Sequence, residues 1–211
     1  MMIYLILSKI KKMRLNNKIA VITGSASGFG KGIAKKFVEE GARIILVDIN
    51  AKLLKRVSKN LSQDYFVADV SKISHYNSLA SYVFKKYNFI DIVVNNAGIT
   101  HKPKPMENVT EKEFDKVFNV NAKSVYLCGK FFVPIMKKQK KGSILNIAST
   151  AGISPRPKLN WYNASKGWMI TASKAMAIEL APFNVRVNAI APVAGETPLL
   201  KSFMGGNTLK K

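Results

Sequence analysis

Tyr162 and Lys166 stand four residues apart in Trp161-Tyr162-Asn163-Ala164-Ser165-Lys166, so on a helix they share one face and their tips can meet. A phenol ionises near pH ~10, too high for a base at neutral pH, and a neighbouring ammonium stabilises the phenolate and brings that value down. The pair therefore suits proton transfer to or from an oxygen. Alone, the same spacing equally describes two surface neighbours. Ser149 adds weight, because it follows an apolar run in Asn146-Ile147-Ala148-Ser149-Thr150, at the carboxyl edge where open α/β sheets bind ligands.

A second constellation lies near the start of the chain. Thr23-Gly24-Ser25-Ala26-Ser27-Gly28-Phe29-Gly30 sits between the apolar run Ile19 to Ile22 and a helical pattern beginning Lys31-Gly32-Ile33-Ala34. Glycines there let the backbone turn sharply and leave no side chain between the amides and an anion, while the following helix directs free N–H groups at a pyrophosphate. The glycine spacing departs from the commoner G-x-G-x-x-G, and a ligand-free strand-to-helix turn is the plainer alternative. Asp48 closes the next apolar run, about twenty residues further on, where a carboxylate accepts hydrogen bonds from the adenine ribose hydroxyls and repels a 2′-phosphate. No cation occupies Ser27 or Ile49 to offset that repulsion, which favours NAD over NADP.

These residues need a parallel sheet to bring them together, and the remainder of the chain is patterned for one. Strands are expected at Ile19–Thr23, Arg43–Asp48, Tyr65–Ala68, Ile90–Asn95, Ser143–Ile147 and Arg186–Ile190. Helices are expected at Gly30–Glu40, Ala51–Asn60, Ser71–Tyr87, Glu111–Lys137 and Trp161–Leu180, with Thr110 and Glu113 forming a capping box. Alternation of this kind predicts one Rossmann-type α/β domain, a doubly wound parallel sheet of three αβα layers. After Ile190 the pattern turns irregular. With 211 residues, 47% of them hydrophobic, the chain supports one such core rather than two.

Composition excludes other classes. The single cysteine, Cys128, lies in an apolar stretch and fits a small core residue in a reducing compartment, the cytoplasm; two histidines without clustered cysteines offer no metal site. The net charge of +22 comes from 34 Lys and Arg against 12 Asp and Glu, mostly as dispersed lysine pairs with one cluster at Lys137-Lys138-Gln139-Lys140-Lys141. No basic face interleaved with aromatics accompanies it, so no specific nucleic-acid site is expected, only weak attraction for polyanions. Residues 1–12 begin apolar and end basic, too short for a membrane span and in the wrong order for a secretory signal, and are expected to be a disordered extension.

The ordered set of motifs resembles the short-chain dehydrogenase/reductase family from Met13 to about Met204. The resemblance is carried by the Thr23–Gly30 turn, Asp69-Val70, Asn95-Asn96-Ala97-Gly98, Asn121 in Asn119-Val120-Asn121, Ser149, Tyr162 with Lys166, and Asn188-Ala189-Ile190-Ala191-Pro192. It implies a cofactor lined by Gly24, Ser27, Gly28, Phe29, Gly30, Asp48, Asp69, Val70, Asn96, Ala97, Gly98, Pro192 and Thr197, together with Tyr162 and Lys166. It also implies catalysis by Asn121, Ser149, Tyr162 and Lys166 on a small alcohol or ketone. In that scheme Ser149 binds the substrate oxygen, Tyr162 exchanges its proton, Lys166 holds the nicotinamide ribose and lowers the phenol pKa, and Asn121 holds a relay water.

Residues Pro192 to Met204 resemble a 3-oxoacyl-carrier-protein reductase-like or glucose-dehydrogenase-like subgroup, with Val193 standing where the family has glycine. Thr150, Ile153, Pro155, Arg156, Asn160, Thr197, Leu199 and Leu200 are candidates to line the substrate side; Arg156 could pair with a carboxylate or phosphate, although a solvent-facing loop arginine is the plainer reading, and His101 could overhang the pocket, although a plain loop histidine is favoured. The family implies a homo-oligomer, dimer or tetramer. Members run to roughly 250 residues, so about forty, including a seventh strand, are expected to be missing, with residues 205–211 a short tail and the sixth strand an exposed edge. That shortfall leaves an alternative: a silent remnant that binds a dinucleotide or a protein partner without turnover.

Overall fold

The computed structural model describes residues 13–203; the extension expected over 1–12 and the tail over 205–211 lie outside the described residues. Six strands form one parallel sheet: β1 (Ile19–Thr23), β2 (Arg43–Asp48), β3 (Asp64–Val67), β4 (Ile92–Asn95), β5 (Gly142–Ile147) and β6 (Val185–Ile190), in the order β3-β2-β1-β4-β5-β6. The order reverses between β1 and β4, and this switch opens a crevice at the carboxyl ends of both strands. Every residue of β1 is buried, as a central strand covered on both faces requires.

Helices supply the two covers. On one face α1 (Gly28–Glu39) and α2 (Ala51–Leu61) bring Ala34, Leu54 and Val57 onto Ile22, Ile44, Leu46 and Val94. On the other, α3 (Ile73–Tyr87) and α5 (Lys123–Gln139) bring Tyr76, Leu79, Val83, Leu127, Phe132 and Met136 onto Val21, Ile45, Val93 and Ile144. Burying each of these side chains is worth about 1.5–3 kcal/mol before chain entropy is set against it. Cys128 lies in this second layer, fully buried, and burial pushes its thiol up to about 12, which fits a packing role. Among the described residues, no group of His, Cys, Asp and Glu is arranged to hold a metal, and no helix is long and apolar enough to cross a membrane.

Several element boundaries differ from the sequence expectation, each for a physical reason. The helix expected over Glu111–Lys137 is two, α4 (Glu111–Asn121) and α5, hinged at Ala122. Asn121, the last residue of α4, points inward and is held by both backbone groups of Ile99 in a distant loop. The strand expected from Tyr65 begins at Asp64, whose carboxylate meets Lys86 and the Tyr87 hydroxyl and so favours pairing one residue earlier. β4 starts at Ile92 rather than Ile90, since Asp91 turns its side chain onto the Ile19 amide at 3.0 Å and toward Lys141 at 3.1 Å. The Thr110–Glu113 capping box is present, with both reciprocal bonds made at the start of α4. Beyond β6, in the stretch read as irregular, lies a short helix, α7 (Pro198–Phe203). The remaining long helix, α6 (Asn160–Leu180), packs against α4 and β6 and carries Tyr162 and Lys166.

Candidate active site

All the strand ends that face the switch point open into one cleft of about 1010 Å³. Its side beside the glycine turn is built by backbone. Gly24 and Gly28 have φ of 65° and 52°, which glycine adopts without strain. A Cβ on Gly30 would stand 2.2 Å from the Gly24 carbonyl oxygen and 2.5 Å from Asn96 Nδ2, so only glycine fits there. Asn96 Nδ2 donates to the Thr23 and Gly24 carbonyls at 2.9 and 3.2 Å, while the Asn96 and Ala97 amides both donate to Thr23 Oγ1 at 3.0 Å. The turn after β4 thus braces the turn after β1. Ser27, at the N-cap of α1, makes no side-chain cap bond and the first turn holds no acidic residue, leaving its amides free for an anion.

Asp48 ends β2 on the same wall and accepts from the Ala26 amide at 3.0 Å and the Asn50 amide at 2.9 Å, which fixes its carboxylate beside the glycine turn. Asp69 is held by the Ser71 hydroxyl at 2.6 Å and the Ser71 amide at 2.9 Å; burial pushes its carboxyl up, but these bonds and nearby cations leave it below the ordinary value. Val70 is buried beside it. These features fit a dinucleotide: a side-chain-free cradle with unpaired amides, then a carboxylate at the end of the neighbouring strand.

Ser149 and Tyr162 both line the cleft beyond the end of β5. Ser149 has extended backbone, and its Oγ accepts from the Ala151 amide at 3.1 Å, capping a short 3-10 turn, Thr150–Gly152. That turn lies directly on α6: a Cβ on Gly152 would come within 2.7 Å of the Lys166 backbone. Ser149 lies on the Tyr162 side of the cleft, where its hydroxyl favours the charged form of the phenol. Tyr162 is buried, and its ring packs edge-on against Phe203 of α7 at 5.0 Å. Burial raises the phenol above its ordinary value, opposed by Ser149 and by the Arg156 charge.

Lys166 differs from the expectation. Its buried Nζ donates to the Ile147 carbonyl at 2.7 Å, and burial brings the amine down to about 8. The resting ammonium is therefore engaged by the strand, and the phenol is raised rather than lowered. Asn121 lies close by, since a Cβ on Gly98 would stand 3.3 Å from Lys166 Nζ and 3.4 Å from Asn121 Oδ1. The Asn121 amide donates to Ile99 O and Ser165 Oγ, both at 2.9 Å, and its Oδ1 accepts from Ile99 N at 2.9 Å. Both amide hydrogens are thus engaged, and Asn121 acts first as a strut between the β4 loop and α6.

Of the substrate-side candidates, Thr150, Arg156, Thr197, Leu199 and Leu200 line the cleft with Pro192, whereas Ile153, Pro155 and Asn160 do not. Ile153 is 69% exposed because its loop turns outward. His101 does not overhang the cleft; it is buried, with Nδ1 at 2.9 Å from the Lys102 carbonyl. Gly152, Ser165 and Phe203 position the site without having been singled out in the sequence. Gly152 in Thr150-Ala151-Gly152 was the one readable signal, a glycine where two backbones meet.

A doubly wound sheet with a glycine-lined anion cradle and a Ser/Tyr/Lys cluster at its switch point defines a nicotinamide-dependent oxidoreductase. Residues 18–206 match the short chain dehydrogenase family, and the chain belongs to it. Over 198 residues it is 41% identical to 4-formylbenzenesulfonate dehydrogenase TsaC1/TsaC2 of Comamonas testosteroni, covering 92% of this chain and 79% of that one. It is 40% identical to the 3-oxoacyl-[acyl-carrier-protein] reductase FabG of Thermotoga maritima over 192 residues, covering 89% and 78%. Among solved structures, the 3-ketoacyl-(acyl-carrier-protein) reductase of Brucella melitensis complexed with NADH superposes with a TM-score of 0.88 at 44% identity, covering 90% of this chain and 80% of that one.

Proposed function

We propose that this enzyme interconverts a secondary alcohol and its ketone with NAD(H), through Ser149, Tyr162, Lys166 and Asn121. The observation that carries the reading is that Ser149, the buried Tyr162 and Lys166 line one cleft with the glycine turn after β1. Bound nicotinamide supplies the hydride acceptor or donor. Glycines 24, 28 and 30 with Ser27 and Phe29 hold the pyrophosphate, and Asp48 holds the adenine ribose and disfavours a 2′-phosphate. Asp69 and Val70 face the adenine; Asn96, Ala97, Gly98, Pro192 and Thr197 flank the remainder.

In oxidation the alcohol O–H proton passes to the Tyr162 oxygen in its phenolate form as the carbinol carbon loses hydride, leaving a ketone and a neutral phenol; reduction reverses both transfers. Ser149 donates to the substrate oxygen and fixes it against Tyr162. The raised phenol is protonated at neutral pH, the form that reduction of a ketone needs. Lys166, at about 8, holds a charge that can turn from Ile147 toward the phenol or a ribose, and Asn121 maintains the helix break that aims both. We also propose a homo-oligomer, since Tyr126 of α5 and Ile178 of α6 are 54% and 78% exposed. Light scattering of the purified protein tests it.

The functional test is the reduced-nicotinamide absorbance of purified protein with a panel of alcohols and ketones, NAD and NADP in parallel. Turnover with NAD preferred, lost in Ser149→Ala and Tyr162→Phe, supports the reading. Tight NADH binding without turnover across the panel favours a silent dinucleotide-binding protein instead.

A further inference from the structure

The substrate end of the cleft carries a charge that neither the glycine turn nor the Ser149–Tyr162 pair employs. Arg156 lies between the Thr150–Gly152 turn and α6, and it lines the cleft with Ser149, Leu159 and Tyr162. Its backbone is held from behind. The buried Asn163 side chain donates through Nδ2 to the Arg156 carbonyl at 2.7 Å, and the Asn163 amide donates to Leu159 O at 2.9 Å. Lys104 N donates to Lys158 O at 3.1 Å, and Leu159 is buried against Tyr162 with Phe203 beside it. A loop tied at three successive points presents one exposed guanidinium.

Among the described residues no Asp or Glu lies within ion-pair distance of Arg156, although Arg14, Lys104 and Lys137 each have such a partner. The other charges on the cleft wall are placed differently. Asp48, Asp69 and Lys72 follow β2 and β3, α4 contributes both signs, and Lys166 is buried on Ile147. Leu159, Leu199, Leu200 and Phe203 line the same cleft, and Leu159 packs with Tyr162.

We propose that Arg156 anchors an anionic group of the substrate, a carboxylate, sulfonate or phosphate. This rests on the oxidoreductase reading above and names its substrate class. A planar guanidinium offers paired donors that match two oxygens of such an anion, and holding its backbone lowers the entropy lost on binding. The same charge reaches the reacting oxygen, as its opposition to the upward push of burial on Tyr162 shows.

The test compares kcat/KM with NADH for acetophenone, para-acetylbenzoate and para-acetylbenzenesulfonate in wild type, Arg156→Gln and Arg156→Lys. Wild type is expected to favour the anionic ketones by about 10- to 100-fold, the range of one charge-assisted hydrogen-bond pair. R156Q should bring the anionic-to-neutral ratio to within about threefold of unity and R156K should keep part of it. The proposal is overturned if wild type shows no preference, or if R156Q preserves it, because general attraction to a +22 chain would survive the loss of one cation. Should no ketone turn over, NADH-loaded protein is titrated with benzenesulfonate, followed by nicotinamide fluorescence. Affinity lost at least tenfold in R156Q still supports the anion site while the oxidoreductase reading fails; no binding, or equal binding, overturns the site.

Discussion

Lys166 gives the account a consequence measurable without any substrate. Its amine falls from 10.5 to about 8 on folding because burial disfavours the charge. Each pKa unit corresponds to about 1.4 kcal/mol, so below the folded value, where both states are protonated, the folded protein bears a penalty of about 3 kcal/mol. As pH rises from about 8 toward 10.5 the folded amine sheds its proton before the unfolded one, and the penalty is relieved. At about pH 10 roughly 1 kcal/mol remains, a gain of about 2 kcal/mol over pH 7.

Lys166→Met fills the same space without the charge, at a pH-independent cost of about 1–3 kcal/mol for the orphaned Ile147 carbonyl. Urea unfolding of cofactor-free wild type and variant at both pH values isolates the lysine. The wild type should gain about 2 kcal/mol on the variant between pH 7 and 10. A difference constant within about 0.5 kcal/mol, or one of opposite sign, refutes the buried-charge reasoning.

Other expectations are simpler. Gly30→Ala forces a Cβ against the Gly24 carbonyl at 2.2 Å and should cost about 1–3 kcal/mol in thermal stability. The same variant should weaken NADH binding by at least about tenfold, because the turn must open; unchanged fluorescence titration would contradict the cradle. Asp48→Asn keeps an acceptor for the Ala26 or Asn50 amide but removes the charge, and the NAD-to-NADP efficiency ratio should fall by about tenfold or more. Thr110→Ala removes the cap at the start of α4 and should cost about 1 kcal/mol in urea unfolding.

What could be read beforehand was what depends on neighbours in sequence. The meaning of Gly24, Gly30, Asp48 and Ser149 follows from their place at strand ends, and the Tyr162–Lys166 spacing from helical geometry. The hinge at Ala122 could not be read, because it depends on Asn121 meeting Ile99 and Ser165, both far along the chain. Nor could the partner of Lys166, since Ile147 reaches it only after β5 and α6 pack. α7 was different: Thr197 before Pro198 is a helix-start signal, overlooked because glycine and prolines surround it. Ile153 turns away from the cleft because loop direction is decided by packing rather than by local pattern, whereas His101 follows its plainer reading as a loop histidine outside the cleft.

The central claim is that Ser149 and Tyr162 act together on one oxygen beside the nicotinamide site. Its most direct test is a single-turnover mixing experiment following decay of reduced-nicotinamide absorbance after enzyme preloaded with NADH meets an excess of ketone. Tyr162→Phe keeps the ring against Phe203 and should bind NADH normally while slowing the decay by about 100- to 10,000-fold. A decay in that variant within about threefold of wild type would contradict the account, since the proton would then come from elsewhere.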